Sequence, residues 1–391
     1  MLSFVKALTF LLGSLVCCFQ LSNAFAAETS TFAPSNPPEM KPLADTDSPA
    51  QRAAKWFTRG ANLGNYLEAP AGQSWGITVT AEEFSIMKRE GFDHSRAPVR
   101  WSDYTGPAPD FVVSPEIFAR ADFVVTNALA AQLAVIINMH HFDAFTSDPD
   151  GQADKFVAIW RQVAAHYATF TNRLAFELLN EPKDAATTQK MNSIFARTLP
   201  EIRKSNPNRT IFVGPGKWNQ VSELKNLVLP ANDNNLIVTV HCYEPFYFTH
   251  QGATWTGEDT KTKGIQFPGP PAQPLVPDPS LKLNNWVVDW IHRYNTLPTA
   301  QNPSSPAAFT DKLALARAWS DYYGRPIHVG EFGCYTMADA ESRARFYGAF
   351  RRACEENKIG WAIWDWSAGF KYWDKTKNQP MPGMRSALFG K

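Results

Sequence analysis

Eight short apolar runs recur along the chain, each followed by a segment whose apolar residues repeat at helical spacing. The runs are TRGANLG from Thr58, HSRAPV from His94, LAVIINMH from Leu133, LAFELLN from Leu174, TIFVGP from Thr210, NLIVTVHCY from Asn235, PIHVGEFG from Pro326 and GWAIWDW from Gly360. Their length and β-branched content read as strands. Between them the period changes to that of an amphipathic helix. In TAEEFSIMKREG, Thr80 caps the start, Phe84 and Met87 face inward and Gly91 ends the helix; ADAESRARFYGAFRRACEEN from Ala338 has the same character. Strands that are apolar throughout are buried on both faces, which calls for a parallel sheet sheathed by helices. Eight such units predict an α/β fold closed into a (β/α)8 TIM barrel, one domain over residues 51–391. An open doubly wound sheet is the alternative, and the lack of a Gly-rich phosphate loop after the first run weighs against it.

A barrel gathers its chemistry at the carboxyl ends of its strands. Those ends carry Asn62, Arg96, His140 with His141, Asn180 with Glu181, Trp218, His241 with Tyr243, Glu331, and Trp364 with Asp365. Polar side chains are costly to bury without partners, so this gathering predicts a site. Glu181 and Glu331 are the two acids placed to face each other across the mouth. A carboxylic acid opposite a carboxylate suits the cleavage of an acetal: one protonates the leaving oxygen, the other attacks or stabilises the anomeric carbon. The Asn180 amide is then placed to bond a sugar hydroxyl, and Pro182 turns the chain so that Glu181 enters the cleft. Glu177 lies mid-strand and reads as a buried partner for an arginine. Zinc or iron held by His140, His141, His241 and Glu331 is the rival use of these groups. Neither H-x-x-x-H nor H-E-x-x-H occurs, and adjacent strand histidines point to opposite faces, so no metal and no cofactor is expected.

Composition narrows the partner. Of 391 residues, 44% are hydrophobic, and the formal charge of +1 gives no reason to expect nucleic acid or an anionic membrane surface. The 13 Trp and 27 Phe supply flat faces on which sugar rings stack, although most belong to the core; Trp75, Trp218 and Trp255 can equally be loop anchors. The N-terminus has Lys6, an apolar run from Ala7 to about Phe19 and small residues at Ala24 and Ala26, the pattern of a signal peptide over residues 1–26. No run reaches the ~20 residues of a membrane-crossing helix. A secreted protein, extracellular or periplasmic and free of the membrane after cleavage, is expected. Residues 27–50, rich in Pro, Ser, Thr and Asp, predict a disordered leader. Cys242, Cys334 and Cys354 remain after cleavage; buried thiols are expected, with a Cys242–Cys334 bridge left open. Residues 257–306 form a Pro-rich insertion long enough to wall one side of a cleft.

Six segments together resemble glycoside hydrolase family 5, the cellulase family: GFDHSRAPVRW, INMHH, LLNEP, VTVHCYEPFYFTHQGATW, VGEFG and WAIWDWSAGF, in family order, from about Arg59 to Phe370. GANLGNYLEAP and PFYFTHQGATW resemble bacterial endo-β-1,4-glucanases of that family in particular, some of which also accept mannan or glucomannan. The resemblance implies a retaining mechanism with Glu181 as acid/base and Glu331 as nucleophile. Arg96 and Tyr243 would hydrogen-bond the nucleophile, His140 and His241 would line the cleaved subsite, and Trp364 would be its stacking floor. Asn65, Glu68, His141, Trp218 and Trp255 would contact flanking sugars. The implied partner is a β-linked polysaccharide met by a monomeric enzyme; mannan, xyloglucan or mixed-linkage glucan is the alternative substrate, and a catalytically silent carbohydrate-binding barrel the alternative class. Burial and the nearby Glu331 charge are expected to raise the Glu181 pKa, with Arg96 and Tyr243 lowering that of Glu331.

Overall fold

The computed structural model describes residues 40–43 and 47–390. Eight parallel strands close into a barrel in chain order: β1 (Arg59–Asn62), β2 (His94–Val99), β3 (Ala134–Met139), β4 (Leu174–Glu177), β5 (Ile211–Val213), β6 (Leu236–His241), β7 (Ile327–Phe332) and β8 (Gly360–Ile363), with β8 pairing back onto β1. This is the (β/α)8 barrel predicted, and each strand falls within one apolar run. β2, β3, β6 and β7 are buried at every position, the consequence of a wall packed on both faces. The helix Ala81–Glu90 begins where expected: the Glu83 carboxylate accepts the Thr80 N–H at 2.7 Å, and Phe84 and Met87 are fully buried. The helix Ala340–Glu356 starts at Asp339, whose carboxylate accepts the Ser342 N–H at 2.8 Å.

Inside the barrel, side chains alternate along each strand and stack in layers. The lowest layer is apolar: Phe57, Ala134, Ile136, Ala175, Phe212 and Ile237 pack together, plugged from below by Ala50 and Ala53 of the short helix Pro49–Ala54. Burying a phenyl ring this way contributes about 1.5–3 kcal/mol. The imidazoles of His94 and His328 complete the layer, with their Nε2 atoms 3.2 Å apart and His94 Nδ1 2.6 Å from the Asp93 carboxylate. Gly60 has to be glycine here, because a Cβ would lie 2.1 Å from His94 Nε2. Above this floor the interior turns polar.

Three expectations need adjusting or locating. The signal peptide lies outside the described residues, as does most of the proposed leader. The described part of the leader is folded: Met40 is buried, the Leu43 N–H donates to the Tyr323 carbonyl at 3.0 Å, and Ser48 caps the helix that begins at Pro49. Small residues such as Ala50 carry little hydrophobic signal in sequence, yet they fit the narrow barrel floor. Cys242, Cys334 and Cys354 are all buried free thiols, which closes the option of a bridge.

The insertion contains the helix Asn285–Thr296 and is anchored rather than loose. The Phe267 ring is buried, its N–H donates to Ser342 at 3.0 Å, and its carbonyl accepts from Arg345 at 2.6 Å. Tyr247, just past β6, packs on Trp286 and Trp290 of that helix. Among the described residues no helix is long and apolar enough to cross a membrane.

Candidate active site

The polar upper layer is organised by Arg96, which projects from β2 into the barrel and is fully buried. All five of its N–H groups are used. Nε and Nη2 grip the Glu177 carboxylate at 2.7 and 2.6 Å, Nη1 donates to Glu331 at 2.7 Å and to Asn62 at 2.6 Å, and Nη2 also donates to Asn180 at 2.8 Å. Glu177 is thus the buried arginine partner expected of it. Asn62 passes the order on, donating to the carbonyls of Gly330 and Ile363. Because the Asn180 oxygen faces Arg96, its amide nitrogen remains to donate elsewhere. The two carboxylates raise the Arg96 pKa against the opposing effect of burial, so the guanidinium is a fixed cation.

Glu331 lies at the end of β7, where the pairing with β6 shifts register between Val240 and His241 so that His241 comes opposite Glu331. Such a shift re-aims side chains at a barrel rim. One oxygen of Glu331 takes the Arg96 bond and the other accepts from the Tyr243 hydroxyl at 2.9 Å. Glu181, just past β4, has its carboxylate 2.9 Å from His241 Nδ1, and the same nitrogen is 3.7 Å from Glu331. The His241 nitrogen and one oxygen of each glutamate all lie within 4.8 Å of one another.

The two carboxyls differ in exposure and in partners. The Glu181 side chain is 27% exposed and Glu331 only 6%. Burial in the cleft wall pushes Glu181 up to about 7, with the like charge of Glu177 adding to the rise and Arg96 opposing it. The expected upward shift is present, and the like charges of Glu181 and Glu331 oppose each other's ionisation as expected, with Glu177 adding to the effect at Glu181. Glu331 corrects the expectation in sign. Burial raises its pKa too, and His241, Arg96 and the Tyr243 hydrogen bond only partly offset this. Burial holds His241 neutral by lowering it to about 4.

Around this pair, His140 is held between the Asn138 amide at 3.2 Å and Glu68 at 3.1 Å, and it stacks near-parallel to Trp364 with ring centres 5.6 Å apart. Burial lowers the pKa of His140 and raises that of Glu68, so a neutral imidazole with its Nε2–H toward Glu68 fits both. Glu68 is buried and also accepts the Asn65 N–H. Its carboxylate is therefore engaged in holding His140 and the Asn65 turn. His141 does not point away from His140 as strand alternation predicts. Both lie beyond the end of β3, their rings are 4.6 Å apart, and His140, His141 and Glu68 each bring one ligand-type atom within 4.8 Å of the others. Trp75 meets His141 edge-on, while Trp218 and Trp255 are 40% and 58% exposed. Trp255 packs against Tyr335 and Phe370, and Phe370 against Tyr243, so the aromatic lining is continuous from Trp255 to Tyr243, the hydrogen-bond partner of Glu331.

Asn138 and Asn219 escape a reading of the sequence. Asn138 is visible only as an asparagine inside an apolar strand, a pattern that signals an inward polar contact. Asn219 belongs to a left-handed run after β5, with φ of 51° at Lys217, 59° at Trp218 and 57° at Asn219, and Glu181 itself has φ 45°. Non-glycine residues in this region cost about 1–3 kcal/mol each, so the surroundings must hold them there.

A barrel mouth with two glutamates sharing one histidine is the setting in which the comparisons with known proteins can be weighed. The family profile described as cellulase, glycosyl hydrolase family 5, matches residues 56–369. The chain belongs to that family. Endoglucanase H of Acetivibrio thermocellus is 30% identical over 333 residues, covering 85% of this chain and 31% of its own length. Endoglucanase 3 of Fibrobacter succinogenes is 28% identical over 338 residues, covering 82% and 51%. The chain therefore spans about a third to a half of these curated relatives. The endoglucanase Cel5A from Thermotoga maritima superposes with a TM-score of 0.75 at 33% identity, over 88% of this chain and 100% of that one; it has also been solved with cellobiose and with mannotriose.

Proposed function

We propose that this family 5 protein is a retaining endo-β-1,4-glucanase that hydrolyses cellulose or a related β-glucan by double displacement. The observation that carries the reading is the pair Glu181 and Glu331, with carboxylate oxygens inside 4.8 Å and contrasting surroundings. Retaining enzymes hold their carboxyls about 5–5.5 Å apart, whereas inverting enzymes leave a wider gap for water. Glu181, poised at about 7, keeps a proton to give to the glycosidic oxygen as the bond to the anomeric carbon breaks. A Glu331 oxygen attacks that carbon from the other face, with its charge steadied by Arg96 and Tyr243. The resulting glycosyl ester removes the negative charge at Glu331. Glu181, now ionised, takes a proton from water, whose oxygen displaces Glu331 and restores both groups. The Asn180 amide is aimed for a hydroxyl beside the reacting carbon, Trp364 for the sugar face, and Trp218 and Trp255 for neighbouring sugars.

The names of the relatives favour glucan, and the Thermotoga maritima protein's complexes with both cellobiose and mannotriose support mannan as a second substrate. Export of a monomeric enzyme, through the signal at residues 1–26, belongs to the same proposal. The test is a panel of carboxymethylcellulose, mannan, xylan, lichenan and xyloglucan, with product anomers followed by NMR. β-Glucan cleavage with initial release of the β-anomer is expected. Initial release of the α-anomer, or binding without cleavage of any substrate, contradicts the reading.

A further inference from the structure

Glu181 is the acid/base in the proposal above, and the inference drawn here rests on that role. Its side chain is directed by a backbone in the left-handed region, φ 45°, which an L-residue adopts only under constraint. The constraint comes from the next strand's loop. Asn219 is fully buried and accepts the Glu181 backbone N–H on its side-chain oxygen at 2.7 Å, while its amide nitrogen faces the Pro215 carbonyl at 3.3 Å. One residue on, the Trp218 N–H donates to the Pro182 carbonyl at 3.0 Å. The two loops are thus pinned together on either side of the Glu181–Pro182 peptide.

The donor loop is itself built for this task. Asn219 has φ 57° and follows two further left-handed residues, so the turn folds its side chain back toward β4. Gly214 makes room for it: a Cβ there would lie 1.8 Å from the Asn219 amide nitrogen. Lys217 is held to Glu223 at 2.7 Å, Glu223 accepts from Thr188 at 2.7 Å, and Thr188 accepts the Gly216 N–H at 3.0 Å. The Thr188 contacts tie the β5 loop to the start of the helix that follows β4, the Lys217–Glu223 pair braces the β5 loop on itself, and none of these contacts involves Glu331.

We propose that Asn219 is a positioning residue for the acid/base: its side-chain oxygen fixes the left-handed peptide of Glu181, and so aims that carboxyl at the glycosidic oxygen. Among the described residues the Asn219 oxygen is the acceptor of the Glu181 N–H, and a donor in this partly buried turn that loses its acceptor favours a reoriented peptide.

Two variants separate this role from general stability. Asn219→Gly tolerates the positive φ and removes both the acceptor for Glu181 and the amide that faces Pro215; Asn219→Asp loses that amide but keeps an acceptor oxygen, and so isolates the bond to Glu181. Each is assayed on β-glucan and on a cellobioside carrying a dinitrophenyl leaving group, which departs without protonation. For Asn219→Gly, kcat/KM on glucan is expected to fall about ten- to a hundred-fold. On the dinitrophenyl substrate kcat/KM should stay within about two-fold of wild type, while kcat and KM fall together because base-assisted hydrolysis of the ester slows. Asn219→Asp should recover glucan kcat/KM and move the alkaline limb of its pH profile upward, since a new anion near Glu181 disfavours its ionisation. The inference is overturned if Asn219→Gly leaves glucan hydrolysis unchanged, if it lowers kcat/KM on both substrates by one common factor, or if Asn219→Asp is as impaired as Asn219→Gly. Glu181→Ala, run alongside, tests the underlying role: if it does not show the same dependence on leaving group, the acid/base assignment itself fails. If it does and the Asn219 variants do not, only the present inference falls.

Discussion

At the scale of single residues, the account assigns separate duties to two glutamates of one cleft, and their titration should show it. Glu181 must be protonated to start the reaction and has a pKa of about 7, so the alkaline limb of the kcat/KM profile should fall near pH 7. Glu331 must be ionised and is raised by burial, so the acid limb should lie above the range of a free glutamate. Replacing Glu181 by Gln should remove the alkaline limb, and a limb that persists unchanged contradicts the assignment. Stability follows the same group. A folded pKa raised above the unfolded one means that its stabilising effect is complete at low pH and is lost as pH rises through about 7. Glu181→Gln should therefore raise the melting temperature at pH 8 by about a few degrees and change it little at pH 4. Arg96→Lys cannot make five directed bonds, and it leaves Glu177 without its fork. A stability loss of about 3–5 kcal/mol in denaturant titration is expected, with activity falling at least as steeply as the folded fraction. The two glutamates to which the proposed mechanism gives these duties were legible in the sequence because each closes or follows an apolar run, where a carboxylate has no part in packing the core. The sign of the Glu331 shift was not: its partners Arg96 and Tyr243 can be inferred from motifs, but the depth of its burial cannot.

At the scale of elements, strand register sets the site. The irregular pairing of β6 with β7 at His241, and of β7 with β8 between Val329 and Phe332, bends the strand ends that carry His241, Glu331 and Trp364. The following turn is pinned by Asp365, whose buried carboxylate accepts the N–H groups of Ala368 and Phe370. Burial lifts Asp365 to about 6, against those bonds and the charge of Arg343. At the other end of the barrel, Gly60→Ala would push a methyl group into the His94 ring and should cost about 1–3 kcal/mol in chemical denaturation. An unchanged midpoint would mean that the floor is looser than described. The strands could be read from sequence because burial on both faces makes them continuously apolar. The left-handed turn of Lys217 to Asn219 could not, since its conformation is imposed by contacts with a distant loop, as the Trp218 bond to Pro182 illustrates. The helix at Pro49 was hidden for a different reason: its buried face is made of alanines set in a Pro- and Ser-rich stretch.

At the scale of the whole molecule, one barrel carries every group the proposed reaction uses, and the insertion is fastened to the helix Ala340–Glu356 and to Tyr247. The two trios of potential ligands, Glu181 with His241 and Glu331, and Glu68 with His140 and His141, make a chelator experiment worthwhile. In the proposed mechanism the His241–Glu181 and His140–Glu68 contacts serve acid/base chemistry and positioning, so hydrolysis should survive extended treatment with EDTA. Loss of activity that a divalent cation restores would contradict a metal-free mechanism. Whether Glu331 forms a bond to the sugar is decided by incubating the enzyme with a 2-deoxy-2-fluoro cellobioside bearing a dinitrophenyl leaving group and mapping the adduct by peptide mass spectrometry. The account predicts a stoichiometric fluoroglycosyl ester on the peptide containing Glu331, at that residue. An adduct on Glu181, or turnover without any adduct and with inverted product, would contradict it.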